Sequence, residues 1–177
     1  MKAIIEWFKS LFSNNEVKTQ EQNDTNREVT LTGETDTGIN FHPELVERLK
    51  DDHQGLLGGY TTVMDKLNNR DYASIPPLLQ GFKSAFNKHL SEENIKFYGY
   101  LEKLLKDDSE EHKKMRTFRR EMNAIANQVN KFLNTWIDSG IDSKTADQFR
   151  EELSGIGAAL VKRVENEEEN LYPIYKK

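Results

Sequence analysis

The sequence predicts an all-α protein: an antiparallel up-down-up-down four-helix bundle, preceded by an N-terminal amphipathic helix and a flexible linker. Three observations predict it. From His42 onward, apolar residues recur at steps of three and four through four long segments, the period of a helix with one buried face. The breaks between these segments are short and polar, which makes consecutive helices antiparallel neighbours. No segment of useful length alternates with the two-residue period of a strand.

Residues 3–12 form the amphipathic helix, with Ile4, Ile5, Trp7, Phe8, Leu11 and Phe12 on a wide apolar face and Lys2, Glu6 and Lys9 on the polar side. The composition changes abruptly at Ser13. Through residue 40 it is rich in Asn, Thr, Glu, Gln, Asp and Gly without periodicity, a linker unable to bury enough apolar area to offset its ordering entropy. The bundle occupies residues 41–177 and starts near His42-Pro43, where proline suits a first helical turn.

The first bundle helix carries Leu45, Val46, Leu49, His53, Leu56, Leu57, Tyr60, Val63, Met64 and Leu67, and Asn68, Asn69 and Asp71 close it. Pro76-Pro77 open the second, whose stripe runs Leu79, Phe82, Phe86, His89, Glu93, Phe97, Tyr100 and Leu104. Asp108 or Ser109 caps the third, which continues through His112, Met115, Phe118, Met122, Ile125, Val129, Leu133 and Trp136 to a stop at Ser139-Gly140. Asp142 or Ser143 caps the fourth, with Phe149, Leu153, Ile156, Leu160, Arg163, Val164, Glu167 and Leu171 ahead of Pro173. Gly155 and Gly157 cost that helix about 1 kcal/mol each against alanine. With Ala158 and Ala159 they mark a close approach by a neighbouring helix or chain.

Composition excludes several function classes. A net charge of -5 and the lack of a basic stretch argue against nucleic acid as a partner. Without cysteine there is no disulfide, thiolate metal site or cysteine nucleophile. No apolar run approaches the roughly 20 residues of a membrane span, and Glu6 and Lys9 interrupt the only stretch resembling a secretory signal. The expected setting is cytoplasmic. Residues 1–12 would dock on a protein partner, back on the bundle, or on a membrane surface, the last of which would make the protein peripheral to a membrane.

His53, His89, Glu93, His112 and Glu167 each interrupt an apolar stripe at helical spacing, and together they touch all four bundle helices. Imidazole nitrogens and carboxylate oxygens on inward faces are ligands for iron, manganese or zinc. His89 and Glu93 are four residues apart, so both project from one helix face and can reach a common ion; Arg163 and Glu167 share that spacing. Taken singly, each residue has a plain alternative. A lone histidine on an apolar face is often a hydrogen-bonded core residue, and a glutamate can be solvated. Taken together, a metal would compensate all of them at once, because buried charges are usually paired or metal-bound. Tyr60, Tyr98 and Tyr172 read as core or rim aromatics.

Leu49-Lys50-Asp51-Asp52-His53 followed by Leu56 resembles the first signature of the hemerythrin-like, HHE cation-binding family. His89-Leu90-Ser91-Glu92-Glu93 leading into Phe97-Tyr98 is similar to its HxxxE helix, and Glu110-Glu111-His112 followed by Met115-Arg116 resembles the third signature. The run Val164-Glu165-Asn166-Glu167-Glu168-Glu169-Asn170-Leu171-Tyr172-Pro173 resembles the fourth, which ends in an aromatic-proline pair. The resemblance spans residues 43–175. It implies a non-haem di-iron centre with His53, His89, His112, Glu93 and Glu167 as metal ligands and the two glutamates as candidate bridges. It also implies a small ligand such as oxygen or nitric oxide.

Two positions depart from the family pattern. Arg163 replaces the fourth-helix histidine, and Arg116 stands where the oxygen-carrying branch has a further histidine. A guanidinium only donates and cannot ligate, which points to one iron in place of two. A site from His53, His89 and the glutamates remains feasible, with Glu168 as a substitute. The expected protein is therefore not an enzyme but an iron-binding sensor or carrier of oxygen, nitric oxide or iron. Its alternative is a metal-depleted bundle acting as a regulatory protein-interaction module. An oxidative di-iron enzyme ranks last, because the third helix lacks a Glu-x-x-His pairing around His112.

Overall fold

Apolar periodicity and local capping place the helix ends. In the computed structural model, which describes residues 40–107 and 109–176, the chain is all-helical. The amphipathic helix expected at 1–12, and the linker up to residue 39, lie outside these residues. Helix α1 spans Leu45–Asn68, and a 3-10 turn at Tyr72–Ser74 leads into α2, Ile75–Glu92. A π-helical segment, Glu93–Tyr98, carries α2 without a break into α3, Gly99–Leu104. Helix α4 spans Glu110–Ser139 and α5 spans Ala146–Asn166; a second π segment, Glu167–Leu171, and a 3-10 turn, Tyr172–Ile174, prolong α5. The described residues thus form four rods, and no helix among them is long and apolar enough to cross a membrane.

The caps largely follow the sequence. Pro76 sits in the first turn of α2. The Ser109 hydroxyl accepts from the His112 N–H at 3.1 Å and starts α4, and Gly140, at φ 67, ends it. The start of α5 differs from expectation. Asp142 Oδ1 accepts from the N–H groups of Lys144 and Thr145 at 2.8 and 2.9 Å, so this carboxylate organises the turn, and Thr145 becomes the N-cap.

The second rod differs more. A plain α-helical stripe would bury Tyr100 and Leu104 after Phe97, but the structure buries Tyr98, Leu101 and Leu105. The π segment is the reason: its wider turn rotates everything beyond Glu93 by about one residue. The same device in the fourth rod buries Leu171 and Tyr172 together. The apolar core accordingly falls into two clusters. One holds Tyr60, Val63, Leu79, Phe86, Val129, Leu133, Trp136 and Phe149. The other holds Leu45, Leu49, Phe97, Tyr98, Leu101, Met115, Leu171 and Tyr172. His53, His89, Glu93, Arg163 and Glu167 are buried and belong to neither.

The glycines of α5 have different roles. A Cβ on Gly157 would fall 2.5 Å from Cε2 of the buried Tyr60 ring on α1, so this glycine is the expected close approach. A Cβ on Gly155 would meet nothing within 4 Å. Gly157→Ala should therefore destabilise the fold by about 1–3 kcal/mol through overpacking. Gly155→Ala should stabilise it by up to about 1 kcal/mol. Urea denaturation of the two variants checks this opposition in sign.

Candidate metal centre

The polar layer forms because α1, α2, α5 and the two π segments each turn a polar residue inward at one level. Its most exacting member is Glu93, the first residue of the first π segment, which is 0% exposed. Among the described residues no hydrogen-bond donor reaches either of its oxygens. Burial pushes its pKa well above the usual carboxylate range, and the charge on Glu167 adds to this. A carboxyl so placed is held neutral, or is held for a cation that the protein itself does not supply.

Two imidazoles flank this layer, with ring centres 4.8 Å apart. His53 Nδ1 lies 3.1 Å from Glu168 Oε1, and His89 Nδ1 lies 3.4 Å from Asp52 Oδ2. Each ring is therefore braced by a carboxylate at Nδ1, leaving Nε2 as the atom available inward, the arrangement that orients metal-ligating histidines. His53 Nε2 lies 3.3 Å from Glu167 Oε2 and 3.4 Å from the Tyr172 hydroxyl. Burial alone would lower the pKa of His53, but its hydrogen bonds with Glu167 and Glu168 outweigh this and raise it to about 9. Burial, and next the charge on His53, hold His89 below its ordinary value.

Glu167 has a permanent partner. Arg163 Nε donates to Glu167 Oε1 at 2.5 Å, and its Nη2 donates to the Tyr98 hydroxyl at 2.9 Å. Its guanidinium lies over the Phe118 ring, 4.8 Å from the centroid. Burial would raise the pKa of Glu167, but the hydrogen bond from His53 and the charge of Arg163 hold it below the usual carboxylate range.

The structure thus brings together four of the five residues expected from the sequence: His53, His89, Glu93 and Glu167. It does not bring His112 to them. His112 is buried on the first turn of α4, with Nε2 3.2 Å from Glu102 Oε1 and Nδ1 4.0 Å from Asp107. The third rod meets the polar layer at Phe118 and Glu121, about 9 Å further along the helix at 1.5 Å per residue. The sequence reading missed Asp52 and Glu168 as braces, and Tyr98 and Tyr172 as hydrogen-bonding neighbours of the site. Asp52 stands one residue before His53 and Glu168 one after Glu167, so only the fold reveals their pairing across helices.

A cation fits this donor set in part. The buried Glu93 oxygens and the braced imidazoles have the chemistry of metal ligands, while Arg163 has not. Among the described residues no three His, Asp or Glu side chains stand at metal-binding spacing, for Glu167 is drawn onto Arg163 and His53. A metal ion bound there would compete with protons for His53 and Glu93. A family model described as the hemerythrin HHE cation binding domain matches residues 44–175. No curated protein and no solved structure matches the chain. The chain belongs to the hemerythrin HHE cation-binding family.

In metal-free protein the stabilisation from His53 is fully present below its ordinary pKa of 6.5 and is lost as pH rises through about 9. The denaturation midpoint should fall between pH 7 and 10, and His53→Gln should flatten that slope. Asp52→Asn and Glu168→Gln should each lower divalent-cation affinity by about 10–100-fold, as measured by competition with a fluorescent chelator.

Proposed function

We propose that this hemerythrin-family protein binds non-haem iron in its polar layer and works as a binding or sensing protein for oxygen or nitric oxide, without turning over a substrate. The observation that carries the reading is Glu93: a carboxyl removed from water, without a donor, beside two imidazoles braced outward. His53, His89 and Glu93 would hold the metal, with Glu167 reaching it only through the oxygen that now faces His53. Bound iron would supply a redox-active centre for a small diatomic ligand. Tyr98 and Tyr172 close the layer on one side with aromatic surface and hydroxyls, and Leu57, Tyr60, Leu160 and Val164 line an apolar cavity beside His53. Apolar walls suit a small uncharged ligand and keep bulk water from the centre.

Contacts along the rods support the up-down-up-down arrangement expected from the short connections. Arg48 meets Glu92, Asp52 meets His89, and Gly59 adjoins Phe82, as expected for α1 and α2 running in opposite senses. Asn134 meets Lys83 and Asn130 meets Asn87, which opposes α4 to α2. Asn68 meets Arg150 and His53 meets Glu168, which opposes α5 to α1.

Arg163 favours a second reading, because a bundle that supplies its own buried cation can fold without metal. In that case the domain would act as an interaction module. Anaerobic titration of the full-length apoprotein with Fe(II) separates the two. The metal-binding reading expects saturable uptake, at least tenfold weaker in Glu93→Gln, and a change in the visible spectrum when nitric oxide is added. Folded protein that takes up no Fe(II) overturns this reading in favour of the module.

A further inference from the structure

We propose that the Arg163 guanidinium is a tethered cation that occupies the place of a second metal ion, so that the site accepts a single divalent cation on its His53, His89 and Glu93 side. This rests on the cation-binding reading above and specifies its stoichiometry and its asymmetry.

The guanidinium lies in a built socket. Arg163 is 4% exposed on its side chain, and its head group has partners on three elements. Nε meets Glu167 Oε1, Nη2 meets the Tyr98 hydroxyl, and Nη1 stands 4.0 Å from Glu121 Oε2. The Phe118 ring supports one face of the plane. Tyr98 comes from the first π segment, Phe118 and Glu121 from α4, and Glu167 from the second π segment. A side chain that merely filled space would not need donors and acceptors from three directions. A guanidinium in such a socket keeps its proton at any pH the fold survives, so the charge is fixed.

The two inner carboxyls show what that charge does. Glu167 has one oxygen on Arg163 and the other on His53, while Glu93 has no donor at either. Demand for a cation is met at one carboxyl and unmet at its neighbour. The unmet one lies four residues from His89, on the same rod. A further divalent ion against Glu167 would have to enter beside a guanidinium that cannot leave, and like charges in this poorly solvated layer repel strongly. One divalent ion against Glu93 would enter beside a carboxyl to which the guanidinium makes no hydrogen bond. The substitution therefore does more than delete a ligand: it places a fixed positive charge on one of the two inner carboxyls.

The test measures bound Mn(II) per chain by anaerobic equilibrium dialysis of full-length apoprotein, with circular dichroism to verify folding. Wild type should bind one equivalent, Arg163→His two, and Arg163→Lys, which keeps a tethered cation, one. Should Arg163→His fail to fold, Arg163→Gln, of similar length but uncharged, should bind two against one for Arg163→Lys. Two equivalents in wild type overturn the proposal while leaving cation binding intact. A single equivalent in every folded variant also overturns it. No uptake by wild type sinks the cation-binding reading itself.

Discussion

A bundle that draws two carboxyls, two imidazoles and a guanidinium into one buried layer must compensate their charge there, and the Arg163–Glu167 ion pair is where it begins. Desolvating a single carboxylate costs several kcal/mol, more than most individual contacts return. The pair alone does not justify that cost, since an apolar pair of similar volume would stabilise the fold as well or better. It makes sense as part of a network. Glu167 also takes His53, His53 takes Glu168, and Arg163 takes Tyr98, so that the layer is linked across three rods. Glu93 accepts none of these hydrogen bonds, although it lies close enough to feel the charges of Glu167, Arg163 and His53.

The two π segments set the geometry of this layer. Each opens on one of the inner glutamates, Glu93 or Glu167, and each shifts the register of the residues beyond it. Consecutive side chains that an α-helix would spread over different faces, Phe97 with Tyr98 and Leu171 with Tyr172, are buried together as a result. Their rings pack on one another, with Phe97 and Tyr172 centred 5.2 Å apart, and form the apolar wall on one side of the layer. The wider turn lowers helical hydrogen-bond quality, a local cost typical of functional positions. Here it places two phenol hydroxyls on charged groups that would otherwise face hydrocarbon.

Much of this was legible in the sequence. Leu49, Tyr60, Phe86, Val129, Trp136 and Leu153 fall on the buried faces that their periodicity predicts, and Gly157 makes the close approach that small residues suggested. His53, His89, Glu93 and Glu167 interrupt those faces and meet where interrupted stripes should meet. Register beyond a π segment was not legible, because no local propensity marks the extra residue. Nor was the level of His112: periodicity fixes the face of a helix but not its height against a partner, and His112 shares a face with the site while meeting Glu102. Asp52 and Glu168 were hidden for a related reason. Each is adjacent in sequence to a residue that points inward, and it braces a ring on a different helix.

Arg163, one of the departures from the family pattern, meets the third rod at an aromatic ring. On α4 the side chains level with the polar layer are Phe118, whose ring lies under the Arg163 guanidinium, and Glu121. A cationic or metal-bound group at that place would repel the guanidinium, while an aromatic face attracts it. An aromatic ring on the third rod therefore suits a guanidinium on the fourth. Removing the guanidinium would free both that ring and Glu167 Oε1. The third rod accordingly supports the layer without donating to it, and the donors crowd toward His53, His89 and Glu93. The asymmetry of the layer follows from the guanidinium together with the ring and carboxylate that hold it.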